Sequence, residues 1–214
     1  MPDWDDNSRQ LAANLIEAQR SAAALARRTL TASDVKAWHN ITMRGLDIDD
    51  AQVLGLDPAD LVGEFRGPTK LAGVAVKIGG YWGVAPDAVA ARCEKFFGTV
   101  NELLGVLDRR FPAGKLDEIG LDGLQAVAEA SPWAHSEWVR IHPFANGNGR
   151  ISRFIANAIL VRYGFPPVFR LRRRPDGSYL FAASKSMTGD HRAMANYVIT
   201  QLLRRGAAPT GRSR

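Results

Sequence analysis

A single cysteine, Cys93, stands among 214 residues, so no intrachain disulfide can form, and no Cys/His spacing suits a zinc site. That usage fits a reducing compartment, and the expected location is cytoplasmic. Long apolar runs are missing as well, none reaching the roughly 18 residues that a membrane span requires. The start, Met1-Pro2-Asp3-Trp4-Asp5-Asp6, lacks the basic and apolar regions of a signal peptide, so neither export by that route nor a membrane partner is expected. There is no internal repeat and no G-x-x-x-x-G-K-[ST] phosphate loop. The most telling scarcity is of acids in the second half. Residues 1–137 carry 14 basic and 20 acidic side chains, whereas residues 138–214 carry 14 and 2, so the halves stand at −6 and +12. Beyond Glu137 the acids are Asp176 and Asp190 alone. A half so short of negative charge points to an anionic partner.

What is present is ordinary globular material. Apolar residues at 46% and charged residues at 23% exclude a disordered, collagen-like or low-complexity chain, and the length suits one large or two small domains. Asn7–Leu30, with Leu11, Leu15, Ala18, Ala22 and Leu25 at helical spacing, reads as one helix. Ser33 reads as the N-cap of a second, stopping at Gly45. Between Leu71 and Ile78 the pattern alternates, with Val74, Val76 and Ile78 on one side, and Gly79-Gly80 turns the chain into Tyr81-Trp82. Pro86 opens a long helix through Leu107, and another runs from Leu121 to Ala130 with a break expected at Ser131-Pro132. Further helices are expected from Arg150 to Gly164, over Ser178–Met187 and over His191–Arg205, ahead of a disordered Gly206–Arg214 tail. The fold class is therefore mainly α with one β-hairpin.

The chemistry concentrates in Ile141-His142-Pro143-Phe144-Ala145-Asn146-Gly147-Asn148-Gly149-Arg150-Ile151-Ser152-Arg153. Pro143 disfavours right-handed helix at His142, so a helix should end there with the imidazole at a loop edge. Gly147 and Gly149 permit tight backbone turns just before the next helix, whose first N–H groups and positive end attract an anion. Arg150 and Arg153 are three apart, on one helical face, where guanidinium groups can grip phosphate oxygens. Phe144 is the anchor into the core. The whole reads as a phosphate cradle beside one neutral base. Taken singly, each part has a plainer reading as a structural histidine, a turn or a solvated face, and it is their order within a dozen residues that carries weight.

This stretch resembles the signature of the Fic (Fido) family, H-P-F-x-[D/E]-G-N-G-R-x-x-R, matching at His142, Pro143, Phe144, Gly147, Asn148, Gly149, Arg150 and Arg153. The resemblance extends back to Gly63-Glu64-Phe65-Arg66 and covers roughly residues 33–205, leaving 1–32 as a regulatory or partner-binding helix. It implies a helical bundle with a hairpin flap, and transfer of AMP from ATP to a Ser, Thr or Tyr hydroxyl of a target protein. It further implies that His142 takes the hydroxyl proton with an unperturbed imidazole. Asn148 and the Gly147 and Gly149 amides would hold the α-phosphate, and Arg150 and Arg153 the β- and γ-phosphates. The flap, with Val74, Val76, Lys77, Ile78 and Gly79, would take a target segment as an added strand.

Two departures qualify the resemblance. The family's acidic residue, which helps hold Mg²⁺, is Asn146 here, a neutral amide that offers a hard cation one oxygen. Weaker metal dependence or slower transfer is expected rather than a dead site. The family's inhibitory pattern, [S/T]-x-x-x-E-[G/N], is also absent. Its nearest imitation is Ala13-Asn14-Leu15-Ile16-Glu17-Ala18, which leaves three alternatives: Glu17 acting on Arg153, a separate antitoxin-like protein that supplies the glutamate, or no such control. His39, His135 and His191 read as packing or capping residues, and the Arg170, Arg172, Arg173, Arg174 cluster as a solvated edge. Two rivals remain: the same fold transferring phosphate or another nucleotide as a toxin, and a basic DNA-binding or regulatory module, with nucleic acid the less favoured partner.

Overall fold

Apolar residues at three- and four-residue spacings give the chain its helices, and the computed structural model describes residues 8–23, 28–46, 48, 54–67, 69–111, 115–171 and 177–206. Helix α1, Arg9–Ala23, buries Leu11, Asn14, Leu15, Ala18 and Ala22 on one face, and the Ser8 hydroxyl accepts from the Leu11 N–H at its start. The helix does not reach Leu30 as the pattern suggested. There the backbone is taken up by a different partner, because the Asn101 side chain accepts from Leu30 N–H and donates to Leu30 O, each at 2.9 Å. Helix α2, Ala32–Met43, is capped by Thr31 rather than Ser33. The Thr31 hydroxyl accepts from Asp34 N–H and the Asp34 carboxylate accepts from Thr31 N–H, a reciprocal box that only residues three apart can close.

A short helix α3, Pro58–Leu61, precedes the hairpin. Strands β1, Lys77–Ile78, and β2, Tyr81–Trp82, pair antiparallel, Lys77 opposite Trp82 and Ile78 opposite Tyr81, around Gly79-Gly80 with Gly79 at φ +58°. The first strand is shorter than the alternation over Leu71–Ile78 implied. Leu71 closes a tight turn with Val74 N–H, and both dip into a small apolar cluster with Met43, Ile48 and Leu61.

Helix α4, Val89–Arg110, is entered through a short 3₁₀ turn at Pro86–Ala88. Helix α5, Leu116–Ile141, runs straight through Ser131-Pro132, and its break lies at Gly120 (φ 66°, ψ −173°). Proline removes one ladder bond, but α5 is clamped around Pro132 by burial of Ser131, Ala134, His135 and Trp138 and by the bond from the Ser131 hydroxyl to Ala156 O. Helix α6, Asn148–Arg162, is buried around most of its girth. Helices α7, Gly177–Met187, and α8, Arg192–Arg204, complete the described elements. Helix α5 is the hub, packing on α4, α6, α7 and α8, while α1 lies on α2 and α6. Trp38, Phe96, Trp138, Phe144 and Phe154 fill the centre. At the turn before α8 the N-cap position is held by His191, whose ring makes no capping bond. Asp190 does that work, accepting from Arg192 N–H. Arg172–Arg174 and the tail beyond Gly206 lie outside the described residues. Among those that are described, no helix is long and apolar enough to cross a membrane.

Candidate active site

Helix α5 ends and α6 begins within seven residues, and the loop between them is cross-braced from every side. His142 N–H still bonds to Trp138 O at 2.9 Å, after which His142 adopts φ 53° and ψ 57°, the left-handed region, the one non-glycine among the described residues to do so. Such a conformation costs on the order of 1–3 kcal/mol and persists where surroundings enforce it. Phe144 is fully buried. The Asn148 side chain clamps it twice, accepting from Phe144 N–H at 2.9 Å and donating to Phe144 O at 2.8 Å. Phe65 pairs with Phe144 as an isolated antiparallel bridge, and Arg66 N–H donates to Pro143 O at 2.7 Å.

From the opposite side His39 stacks on Phe144, ring centroids 3.9 Å apart. Gly63 N–H donates to His39 Nδ1 at 2.9 Å, which leaves the proton on Nε2, 3.0 Å from Asn146 O. Burial pushes the imidazole down to about 4, so the ring is neutral and its two bonds fix its tautomer. Gly147 sits at φ +76°, and a Cβ there would lie 2.9 Å from His39 Nε2; no larger residue fits. Gly149, in contrast, is helical and faces open space apart from Arg153 Nη1, 3.6 Å from where its Cβ would be. Its backbone is ordinary helix, a correction to its reading as a turn glycine.

His142 Nδ1 lies 2.9 Å from Val139 O. A carbonyl can only accept, so Nδ1 carries the hydrogen and Nε2 presents a lone pair. The expectation of an unperturbed imidazole is corrected, since burial first, and the nearby Arg66 charge after it, hold it down at about 4. Both motif arginines lie inward, Arg150 and Arg153 being buried. Arg150 Nη1 rests 3.7 Å from Met43 Sδ, and the Arg153 guanidinium lies over the Tyr179 ring at 5.8 Å. Tyr179 in turn bonds to His135 Nε2 at 2.8 Å, and His135 stacks on Phe169, which makes it a packed histidine. Asn148 does not present its side chain to a phosphate as expected, because both ends of the amide are engaged by Phe144. What remains to it is its main-chain N–H in the first turn of α6, where no side chain caps the helix.

The hairpin runs beside this loop. Val74 is buried, Val76 and Ile78 half-buried, and Lys77 and Gly79 exposed, so one face is turned inward as the alternation implied. Gly83 passes so close that a Cβ would meet His142 Cβ at 2.9 Å.

Mg²⁺, which the family resemblance implies, finds a poor donor set. The loop offers no carboxylate, and Gly147 N–H donates to Asn146 Oδ1, which leaves that amide oxygen one further lone pair to offer a hard cation. No group of three or more His, Cys, Asp or Glu capable of holding a metal occurs among the described residues. Glu17 pairs with Arg44, not with Arg153. Sequence reasoning gave His39 only a packing or capping role, Arg66 only a place in the resemblance and Met43 none, because their contacts with the loop span up to 107 positions of chain.

A profile of the Fic/DOC family matches residues 29–160. The protein adenylyltransferase Fic of Culex quinquefasciatus is 30% identical over 161 residues, 74% of this chain and 27% of its own length. That of Nematostella vectensis is 42% identical over 71 residues, 33% of this chain and 16% of its own. The chain thus spans about a quarter or less of these relatives. Among solved structures, a Fic domain containing signaling protein from Bacteroides thetaiotaomicron superposes with a TM-score of 0.60 at 18% identity, over 96% of this chain and 73% of its own. BepC from Bartonella tribocorum, with bound AMPPNP, gives 0.56 at 14%, over 90% and 86%.

Proposed function

The chain belongs to the Fic/DOC family, and from that premise we propose that it is a protein adenylyltransferase, moving AMP from ATP to a Ser, Thr or Tyr hydroxyl of a target protein. The observation that carries this reading is the tautomer of His142: Nδ1–H is spent on Val139 O, so Nε2 is left as the acceptor, six residues before the start of α6. The hydroxyl proton passes to Nε2 as the oxygen bonds to the α-phosphorus. The bond from that phosphorus to the β-bridging oxygen breaks, and pyrophosphate leaves with the electron pair. The start of α6, which no side chain caps, favours negative charge, and Arg150 and Arg153 supply cationic charge along the same side. A base held near 4 is weak, but the arriving triphosphate is anionic and raises it. Phosphoryl chemistry of this kind needs positioning and charge above all. No step is assigned to Mg²⁺, since Asn146 gives it no carboxylate.

The flap residues Val74, Val76, Lys77, Ile78 and Gly79 hold a target segment through main-chain bonds. On this reading residues 33–205 form the transferase unit, acting in the cytoplasm. Glu17 is occupied by Arg44, so an inhibitory glutamate would come from a separate protein. Incubation with a lysate and ATP labelled at the α or, separately, the γ position tests the reading. Protein-bound label from α-labelled ATP is expected with the native chain and its loss with His142→Ala. Label from the γ position alone would mean phosphate transfer and overturn it.

A further inference from the structure

Arg66 has no exposed surface, and no carboxylate among the described residues offsets its charge. Its guanidinium is satisfied by main chain instead. Nε–H donates to His142 O at 2.8 Å, Nη1 to Val74 O at 2.8 Å, and Nη2 to Val84 O at 2.9 Å and Ile141 O at 3.3 Å. These carbonyls come from three stretches: the entry to the hairpin, its exit, and the end of α5. The Ile141 and His142 oxygens lie at the negative end of α5, which takes the part of the missing counter-ion. Around this fork the main chain is knit further by Val84 N–H to Ile141 O at 3.2 Å and Gly83 N–H to Val76 O at 3.0 Å. The planar fork of arginine can address carbonyls in several directions at once, whereas a lysine ammonium is a point charge.

A left-handed His142 must be enforced, and Arg66 is the side chain that grips its carbonyl. We infer that Arg66 is a positioning residue: it binds the His142 main chain and the base of the hairpin into one unit, fixing the distance between the base and a segment docked on the hairpin. This rests on the transfer reading above and adds to it a residue that touches neither nucleotide nor target.

The test uses Arg66→Lys and Arg66→Met in the full chain, with amide exchange by NMR and initial rates of AMP transfer. Exchange of the Gly83 and Val84 N–H groups is expected to speed up about tenfold, the loss of roughly one hydrogen bond, while amides in α4 and α6 keep their protection. The kcat is expected to fall about 100-fold, the effect of an ångström-scale misplacement, with the KM for ATP held within about twofold and no rescue by lysine. Unchanged exchange, or a raised KM for ATP with kcat intact, would overturn the inference. Should both variants fail to fold, Arg66→Gln, which keeps a planar amide donor in place of the fork, is measured in their stead, and the same pattern is required of it. If the native chain transfers no label, the transfer reading falls while the exchange result still judges the tie.

Discussion

Two irregular segments flank His142, and they are built in opposite ways. The loop from Pro143 to Gly147 is held by bonds from His39, Arg66 and Asn148 and by aromatic stacking on Phe144. The hairpin has two residues per strand, with Tyr81 and Trp82 exposed and Lys77 lying over the Trp82 ring. Rigidity is thus concentrated where phosphate oxygens would need fixed donors. Freedom is left where a segment of variable sequence would dock, since preorganisation assists only contacts whose geometry is known beforehand.

Acid should break the braced side first, and with the largest effect. Burial pushes the His39, His135 and His142 imidazoles down to about 4, about 3 and about 4 in the folded chain, against about 6.5 when unfolded. Their folded values are depressed, so the stability they contribute is complete above pH 6.5 and lost as pH falls toward 4, where the unfolded chain binds protons that the folded one refuses. The urea midpoint should therefore drop through that window, and His135→Phe should flatten the slope. A midpoint level from pH 7 to 4.5 would contradict the buried neutral state.

Next in size is Asn148→Ala. It strips partners from Phe144 N–H and C=O, both buried, at about 2–6 kcal/mol for two unsatisfied groups. Calorimetry should show the loss, and transfer should fall with it. A change below about 0.5 kcal/mol, the range of a surface substitution, would mean that the clamp is dispensable. Smallest is Trp82→Ala on the hairpin. Stability should stay within about 0.5 kcal/mol, and any change in transfer should appear in the KM for target protein, not for ATP. A destabilisation comparable to that of Asn148→Ala would erase the contrast between the two segments.

Local pattern made most helices legible, because burial of Leu11, Leu15 and Ala18, or of Val89, Cys93 and Phe96, follows directly from their spacing. It misplaced the break in α5, since the pull of tertiary packing on Pro132 leaves no mark in neighbouring residues. The loop from His142 to Arg153 was legible because one short stretch supplies it whole. The depression of the His142 imidazole was not, because burial is a property of the assembled bundle. Nor was the tie through Arg66, whose partners are carbonyl oxygens and so carry no side-chain signature at all.

A joint that grips only main-chain oxygens is indifferent to the identity of residues 74, 84, 141 and 142. A hairpin of another sequence, spliced in between Val76 and Gly83, would meet the same joint at the same two points. The socket is standardised and the part that plugs into it is interchangeable, so on the proposed transfer reading target preference could be rewritten without disturbing the base it would face.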